Sequence, residues 1–243
     1  MSKSPKDPKE IFPEVIEDFK DVYGENLISI IAYGSAASGD YVPGRSDINL
    51  MVILDDAGME ELDRSFDVVK KWKKKGLAVP LFLTPEYVAT SMDVFPIEYL
   101  NFQKNHALLF GKDLLAELSF EKEHVRLQCE RELKGKLLLL RGAFLESQGR
   151  AKDLEDIIGQ SIKAFVSIFE ALLFLKDKEL PKRKREIIKT ACETFEMDPG
   201  VFLKLVDIKE GKERLSGPEM LSLYKDYLSQ VKKFAKMIDE LGG

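Results

Sequence analysis

The stretch Ala32-Tyr33-Gly34-Ser35-Ala36-Ala37-Ser38-Gly39-Asp40-Tyr41-Val42-Pro43-Gly44-Arg45-Ser46-Asp47-Ile48-Asn49-Leu50-Met51-Val52-Ile53-Leu54 decides the fold. Two short apolar runs, Leu27 to Tyr33 and Asp47 to Leu54, flank a loop rich in Gly, Ser and Pro, which predicts strand, turn, strand. Gly34 has no Cβ, so backbone N–H groups and the Ser35 hydroxyl can approach phosphate oxygens where the first strand ends. Side chains alternate along a strand, so Asp47 and position 49 share a face, the spacing that lets two side chains hold one metal ion. Position 49 is an asparagine, whose oxygen is neutral. Taken singly, Gly34-Ser35 is an ordinary strand-to-helix turn and Asp47 an ordinary turn residue. Their combination at this spacing is what points to chemistry.

Working outward, Ile11, Phe12, Val15, Ile16, Phe19 and Val22 recur at three-to-four spacing and predict a helix closed by Gly24. A polar helix is expected from Ala57 to Gly76, a strand from Leu77 to Leu83 and a short strand from His106 to Phe110. Beyond Ser119 the pattern is helical only, in five stretches: Glu121 to Gln148, Asp153 to Leu175, Lys182 to Phe195, Pro199 to Val206 and Gly217 to Leu241. This shift predicts a small α/β or α+β domain over residues 1–117 and an all-α helical bundle over residues 118–243.

Of the 243 residues, 44% are hydrophobic and 33% charged, enough apolar surface for one large core or two modest ones. The formal net charge of -5 argues against a nucleic-acid binder, which needs a strongly basic face. Charge is uneven: residues 1–117 carry 13 basic and 20 acidic side chains, residues 118–243 carry 24 and 22. The bundle therefore holds the compensating cations and is a candidate source of basic groups for a phosphate bound at the domain junction. Cys129 and Cys192 are far apart, with no CxxC spacing, which argues against zinc. The start of the chain lacks the apolar core of a secretory signal, and no stretch is read as a membrane span. A cytoplasmic location, without membrane or nucleic-acid partners, is the expectation.

Gly34-Ser35, the eleven-residue gap from 36 to 46, and Ser46-Asp47-Ile48-Asn49-Leu50 resemble the signature of the DNA polymerase β-like nucleotidyltransferase superfamily. The segment looks most like bacterial aminoglycoside adenylyltransferases. That resemblance implies an α+β fold, a mixed sheet with flanking helices, followed by a helical bundle that helps bind the acceptor. It also implies an NTP substrate, ATP by this likeness, held with Mg²⁺ between the domains. Gly34 and Ser35 would hold the triphosphate. Asp47 and position 49 would bind metal and serve catalysis, and a third acid on a later strand would complete the site. Two-metal chemistry of this kind activates the acceptor hydroxyl and stabilises the pyrophosphate leaving group.

The chain departs from that pattern twice. Asn49 replaces a carboxylate, and Leu77-Ala78-Val79-Pro80-Leu81-Phe82-Leu83 contains no acid, with Ala78 at the expected place. Glu86, Asp93 and Glu98 are candidate substitutes, although Glu86 follows Pro85 at a helix start, where a carboxylate serves the helix dipole. Lys70 to Lys75 and Lys182 to Arg185 read first as solvated helix ends, the second cluster being the better anion candidate. Lys134 and Arg141 are further candidates for the triphosphate. His106 and His124 have no nucleophile partner in the sequence, which argues against a triad. Three readings stay open: an AMP transferase acting on a hydroxyl of an unknown small-molecule or protein acceptor, impaired by the missing carboxylates; a non-catalytic nucleotide sensor or interaction module; and a homo-oligomer in which a partner supplies the missing acid.

Overall fold

Phe12, Val15, Phe19 and Tyr23 fall on one side of helix α1 (Phe12–Tyr23) and are buried there, as their spacing requires. The computed structural model describes residues 4–241 and separates into two units, Met1–Phe120 and Glu121–Gly243. In the first unit α1 is followed by strand β1 (Leu27–Tyr33), a single helical turn α2 (Ser35–Ser38) and strand β2 (Asn49–Leu54). Then come α3 (Asp56–Glu60), α4 (Phe66–Lys73), β3 (Leu81–Leu83), α5 (Pro85–Thr90), α6 (Pro96–Lys104) and β4 (His106–Gly111).

The four strands form one mixed sheet in the order β3-β2-β1-β4, antiparallel at β2-β1 and β1-β4 and parallel at β3-β2. Strand alternation divides the side chains between two cores. Ile30, Ala32, Leu50, Val52 and Leu54 pack with Val15, Phe19 and Trp72 on one face. Ile31, Met51 and Ile53 pack with Val88, Tyr99 and Leu115 on the other. Trp72 is fully buried, and its indole N–H donates to Asp18 at 2.7 Å, fastening α4 to α1. Lys71 adds ion pairs to Asp18 at 2.6 Å and Glu14 at 2.9 Å.

Several local expectations need correction. The helix expected from Ala57 to Gly76 is broken in two, because Asp55 caps a short helix by accepting from the Gly58 N–H at 2.8 Å and Glu61 leaves helical geometry (φ -113°, ψ 39°). The strand expected from Leu77 to Leu83 shrinks to Leu81–Leu83, preceded by an isolated bridge from Leu77 to Ile48. Pro80 lies between the two and has no N–H to donate to a ladder. The stretch that carries the candidate acids Asp93 and Glu98 turns helical at Pro96, where Ile97, Tyr99 and Leu100 are buried.

The second unit is helical among its described residues: α7 (Lys122–Ser147), α8 (Ala151–Leu175), α9 (Lys184–Thr194), α10 (Pro199–Lys209) and α11 (Gly217–Glu240). Its core gathers Phe165 and Phe169 of α8, Phe202 of α10 and Tyr227 and Phe234 of α11, with Phe169 and Phe202 edge to face at 5.0 Å. Contrary to the sequence reading, α8 is long and apolar enough by length and composition to cross a membrane. Its Leu154, Ile158, Ile162, Phe165, Phe169 and Leu172 are all fully buried in the bundle, and that packing accounts for its apolar character.

Candidate functional site

β1 ends at Tyr33 and the chain turns at Gly34, whose backbone (φ 70°, ψ -144°) lies where residues with a Cβ are strained. The Gly34 N–H donates to the Asn105 carbonyl at 2.9 Å, so the segment between α6 and β4 fixes the turn. The Gly34 carbonyl accepts from Ala37 at 3.0 Å and Ser38 at 2.9 Å. The amides of Ser35 and Ala36 therefore lie ahead of the first intrahelical bonds. Ser35 is half-buried, and α2 stops after one turn at Gly39 (φ 85°).

Register explains why Asn49 meets this turn. Tyr33 pairs with Asn49 across β1-β2 and with His106 across β1-β4, so the three residues form one row over the sheet. A Cβ built on Gly34 would stand 3.6 Å from the Asn49 Nδ2. The structure thus brings Gly34 and Asn49 into contact range. Asp47 lies two residues before β2, exposed in the loop rather than within the strand as expected. Burial raises the pKa of the nearby Tyr41 hydroxyl, and the charges of Asp47 and Glu10 push it in the same direction.

The loop between α2 and β2 is held by its own polar groups. Ser46 Oγ accepts from the Val42 N–H at 3.1 Å, and the Ser46 N–H donates to the Val42 carbonyl at 2.9 Å. Tyr41 donates to the Pro5 carbonyl at 3.2 Å, tying the loop to the start of the described chain. Where a third acid was sought, the Ile48 N–H donates to Gly76 and the Ala78 N–H to Ile48, at 3.1 and 2.9 Å. Continuing that parallel bridge by one residue sets Ala78 beside Asn49, and the position carries a methyl group.

The candidate substitutes are dispersed. Glu86 sits in the first turn of α5, which Thr84 caps; Asp93 is exposed between α5 and α6; Glu98 sits in the first turn of α6. Among the described residues no group of three or more His, Cys, Asp or Glu side chains is placed to hold a metal ion. Lys134 is engaged within the bundle by Glu130 at 2.5 Å and Asp239 at 3.0 Å. Arg185 of the second cationic cluster is engaged by Asp207 at 2.6 Å and Glu210 at 2.7 Å. The residue set fits one Mg²⁺ shared with nucleotide phosphates, since this ion commonly takes one or two protein oxygens and completes its shell with phosphate and water. It does not fit a pair of ions.

Sequence reasoning missed the partner of His106. Nε2 lies 3.0 Å from Asp113 Oδ2 and Nδ1 lies 2.8 Å from the Gln103 carbonyl, so both ring nitrogens are taken up by oxygens and neither serves a nucleophile. The pairing crosses the Gly111 bend, where periodicity gives no signal. Burial pushes the Asp113 pKa up, but the His106 imidazole and the Leu115 and Ala116 N–H groups outweigh it and hold the carboxyl below its ordinary value. A lowered folded value contributes stability that is present above the unfolded pKa, about 3.9, and is lost as pH falls through the folded one. Asp113→Asn is therefore expected to flatten the acid limb of the stability profile below about pH 4, as measured by urea titrations at stepped pH.

Residues 12–107 match the family model described as a nucleotidyltransferase domain. Among solved structures the chain is similar to spectinomycin adenyltransferase AAD(9) from Enterococcus faecialis, determined with ATP and spectinomycin, at 12% identity and a TM-score of 0.49. That alignment covers 91% of this chain and 98% of the other. No curated protein matches by sequence. The family match takes in strands β1 to β3, the Gly34 turn and the Asp47–Asn49 edge together, so this region of the N-terminal unit is similar to a nucleotidyltransferase domain.

Proposed function

We propose that the protein binds an Mg²⁺-nucleoside triphosphate, with ATP as the favoured substrate, at the Gly34 turn. It would transfer AMP slowly to a hydroxyl of a small-molecule or protein acceptor. The observation that supports this reading is that the Gly34 turn, in a conformation that favours glycine, lies beside Asn49 at one end of the sheet, where a Cβ on Gly34 would stand 3.6 Å from the Asn49 Nδ2. The amides of Ser35 and Ala36 and the Ser35 hydroxyl would receive the triphosphate oxygens. Asp47 and the Asn49 carbonyl oxygen would hold the ion, which when bound offsets phosphate charge. Asp47 is the one carboxylate of the pair, so nucleotide affinity rests chiefly on it. The helical unit, residues 118–243, is proposed as the acceptor-binding part.

Turnover is the weak element. Asn49 and Ala78 stand where two acids would compensate a second ion and draw the acceptor proton, and no three-acid cluster is present among the described residues. This observation also favours the second reading, a nucleotide sensor that binds without turnover. Replacing Asn49 with Asp separates them: pyrophosphate release measured against a panel of hydroxylated acceptors is expected to rise about tenfold or more over wild type. Nucleotide binding together with no release from either protein would leave the sensor reading standing and remove the transferase.

A further inference from the structure

The Gly34 turn is held from outside by the Asn105 carbonyl, which accepts from the Gly34 N–H at 2.9 Å. Asn105 lies between α6 and β4 in neither helix nor strand geometry (φ -124°, ψ 59°). A residue at such a junction keeps its carbonyl direction only where the chain on both sides is ordered. Before it, its own N–H donates to the Asn101 and Phe102 carbonyls at 3.0 and 3.2 Å. After it stands His106, which pairs with Tyr33 across β1-β4 and whose side chain is 14% exposed. His106 Nδ1 lies 2.8 Å from the Gln103 carbonyl oxygen. A carbonyl only accepts, so Nδ1 donates, and the bond closes a loop of chain with Asn105 inside it.

The other edge of the imidazole leads away from the turn. Nε2 lies 3.0 Å from Asp113 Oδ2, and Asp113 Oδ1 accepts from the Leu115 and Ala116 N–H groups, each at 3.1 Å. Gln103 serves the same stretch, its side-chain amide donating to the Leu115 and Leu118 carbonyls at 3.0 and 2.9 Å. Leu115 is fully buried in one core with Ile31 and Met51, so residues 113–118 are packed on the sheet and do not swing free when Asp113 is displaced. A continuous path of bonded groups therefore joins the Gly34 amide to residues 113–118, and it passes through His106.

We propose that His106 is a positioning residue of the nucleotide site. Through Nδ1 it fixes the Asn105 carbonyl against Gly34, and through Nε2 it makes the order of residues 113–118 depend on whether nucleotide occupies the turn. This role rests on nucleotide binding at the Gly34 turn. Phosphates received by the Ser35 and Ala36 amides favour the ordered turn, and the ordered turn holds Asn105 and the imidazole in place. By linkage the effect is reciprocal, so releasing His106 costs nucleotide affinity.

His106→Ala removes both arms. In the full chain without nucleotide, hydrogen exchange at the Gly34 amide is expected to quicken about fivefold or more, and Mg²⁺-ATP affinity by isothermal titration to fall by a similar factor. His106→Asn separates the arms, because its side-chain amide sets a donor near the place of Nδ1 and has nothing at Nε2. It is expected to bind Mg²⁺-ATP within about threefold of wild type, yet to lose the slowing of exchange at Leu115 and Ala116 that nucleotide produces in wild type. A purely structural residue gives no such split, since affinity and exchange then both follow the stability of each variant in urea. No binding by wild type at millimolar ATP overturns the nucleotide reading and this role with it. Binding by wild type that His106→Ala leaves unchanged overturns the role alone, as does an unchanged Gly34 amide or an equal loss of affinity in His106→Asn and His106→Ala. Exchange at Leu115 and Ala116 that is indifferent to nucleotide in wild type overturns the coupling through Nε2.

Discussion

Replacing Gly111 with alanine is expected to lower the stability of the N-terminal unit by about 3–5 kcal/mol, the sum of a strained backbone and an overpacked contact. Gly111 ends β4 at φ 78°, and a Cβ there would stand 1.9 Å from the Ile28 carbonyl oxygen. That neighbour is backbone in the centre of the sheet, where Ser29 pairs with Gly111, so it cannot turn aside as a flexible side chain would. Domains have a net stability of about 5–15 kcal/mol, so this one methyl group removes a large part of it. Thermal and urea unfolding of Gly111→Ala against wild type measure the loss, and a change below about 1 kcal/mol contradicts the close approach. Gly34 differs in kind: its nearest side-chain atom leaves room at 3.6 Å, so only its backbone conformation requires glycine.

Asp47→Ala is expected to weaken Mg²⁺-ATP binding about tenfold to hundredfold, the range for losing a charge-assisted contact. Fold stability is expected to stay within about 0.5 kcal/mol of wild type, because Asp47 is exposed and lies outside β2. The two readouts belong together. Lost affinity in a fully folded protein assigns the effect to the site, whereas equal binding by both proteins removes Asp47 from it.

The central strands of the sheet were legible because they are short apolar runs bounded by turn residues. The apolar runs Leu27 to Tyr33 and Asp47 to Leu54, either side of a Gly-, Ser- and Pro-rich loop, predict two strands, and β1 and β2 do pair there, with their alternate side chains buried in two cores. The approach of Asn49 to Gly34 follows from the pairing of Tyr33 with Asn49, a register that the sequence reading did not specify. Features set by distant neighbours were not legible. The strand from Leu77 fails at Pro80, and the bridge of Leu77 to Ile48 survives on the near side of that break. His106 finds Asp113 only because the chain bends at Gly111, and Gly34 finds the Asn105 carbonyl only because α6 returns beside β1. In the bundle, the exposed ridge of Leu138, Leu139 and Leu145 has the same composition as a core stripe. Only the burial of Leu133, Leu137 and Leu140 shows which side of α7 faces inward.

The central claim is that the Gly34 turn and the Asp47–Asn49 edge form a nucleotide site. Isothermal titration of ATP into the intact protein, with and without Mg²⁺, tests it most directly. Saturable one-to-one binding that strengthens at least about tenfold with Mg²⁺ is the expected result. An absence of heat and of competition at millimolar nucleotide, in a protein shown to be folded, would contradict it.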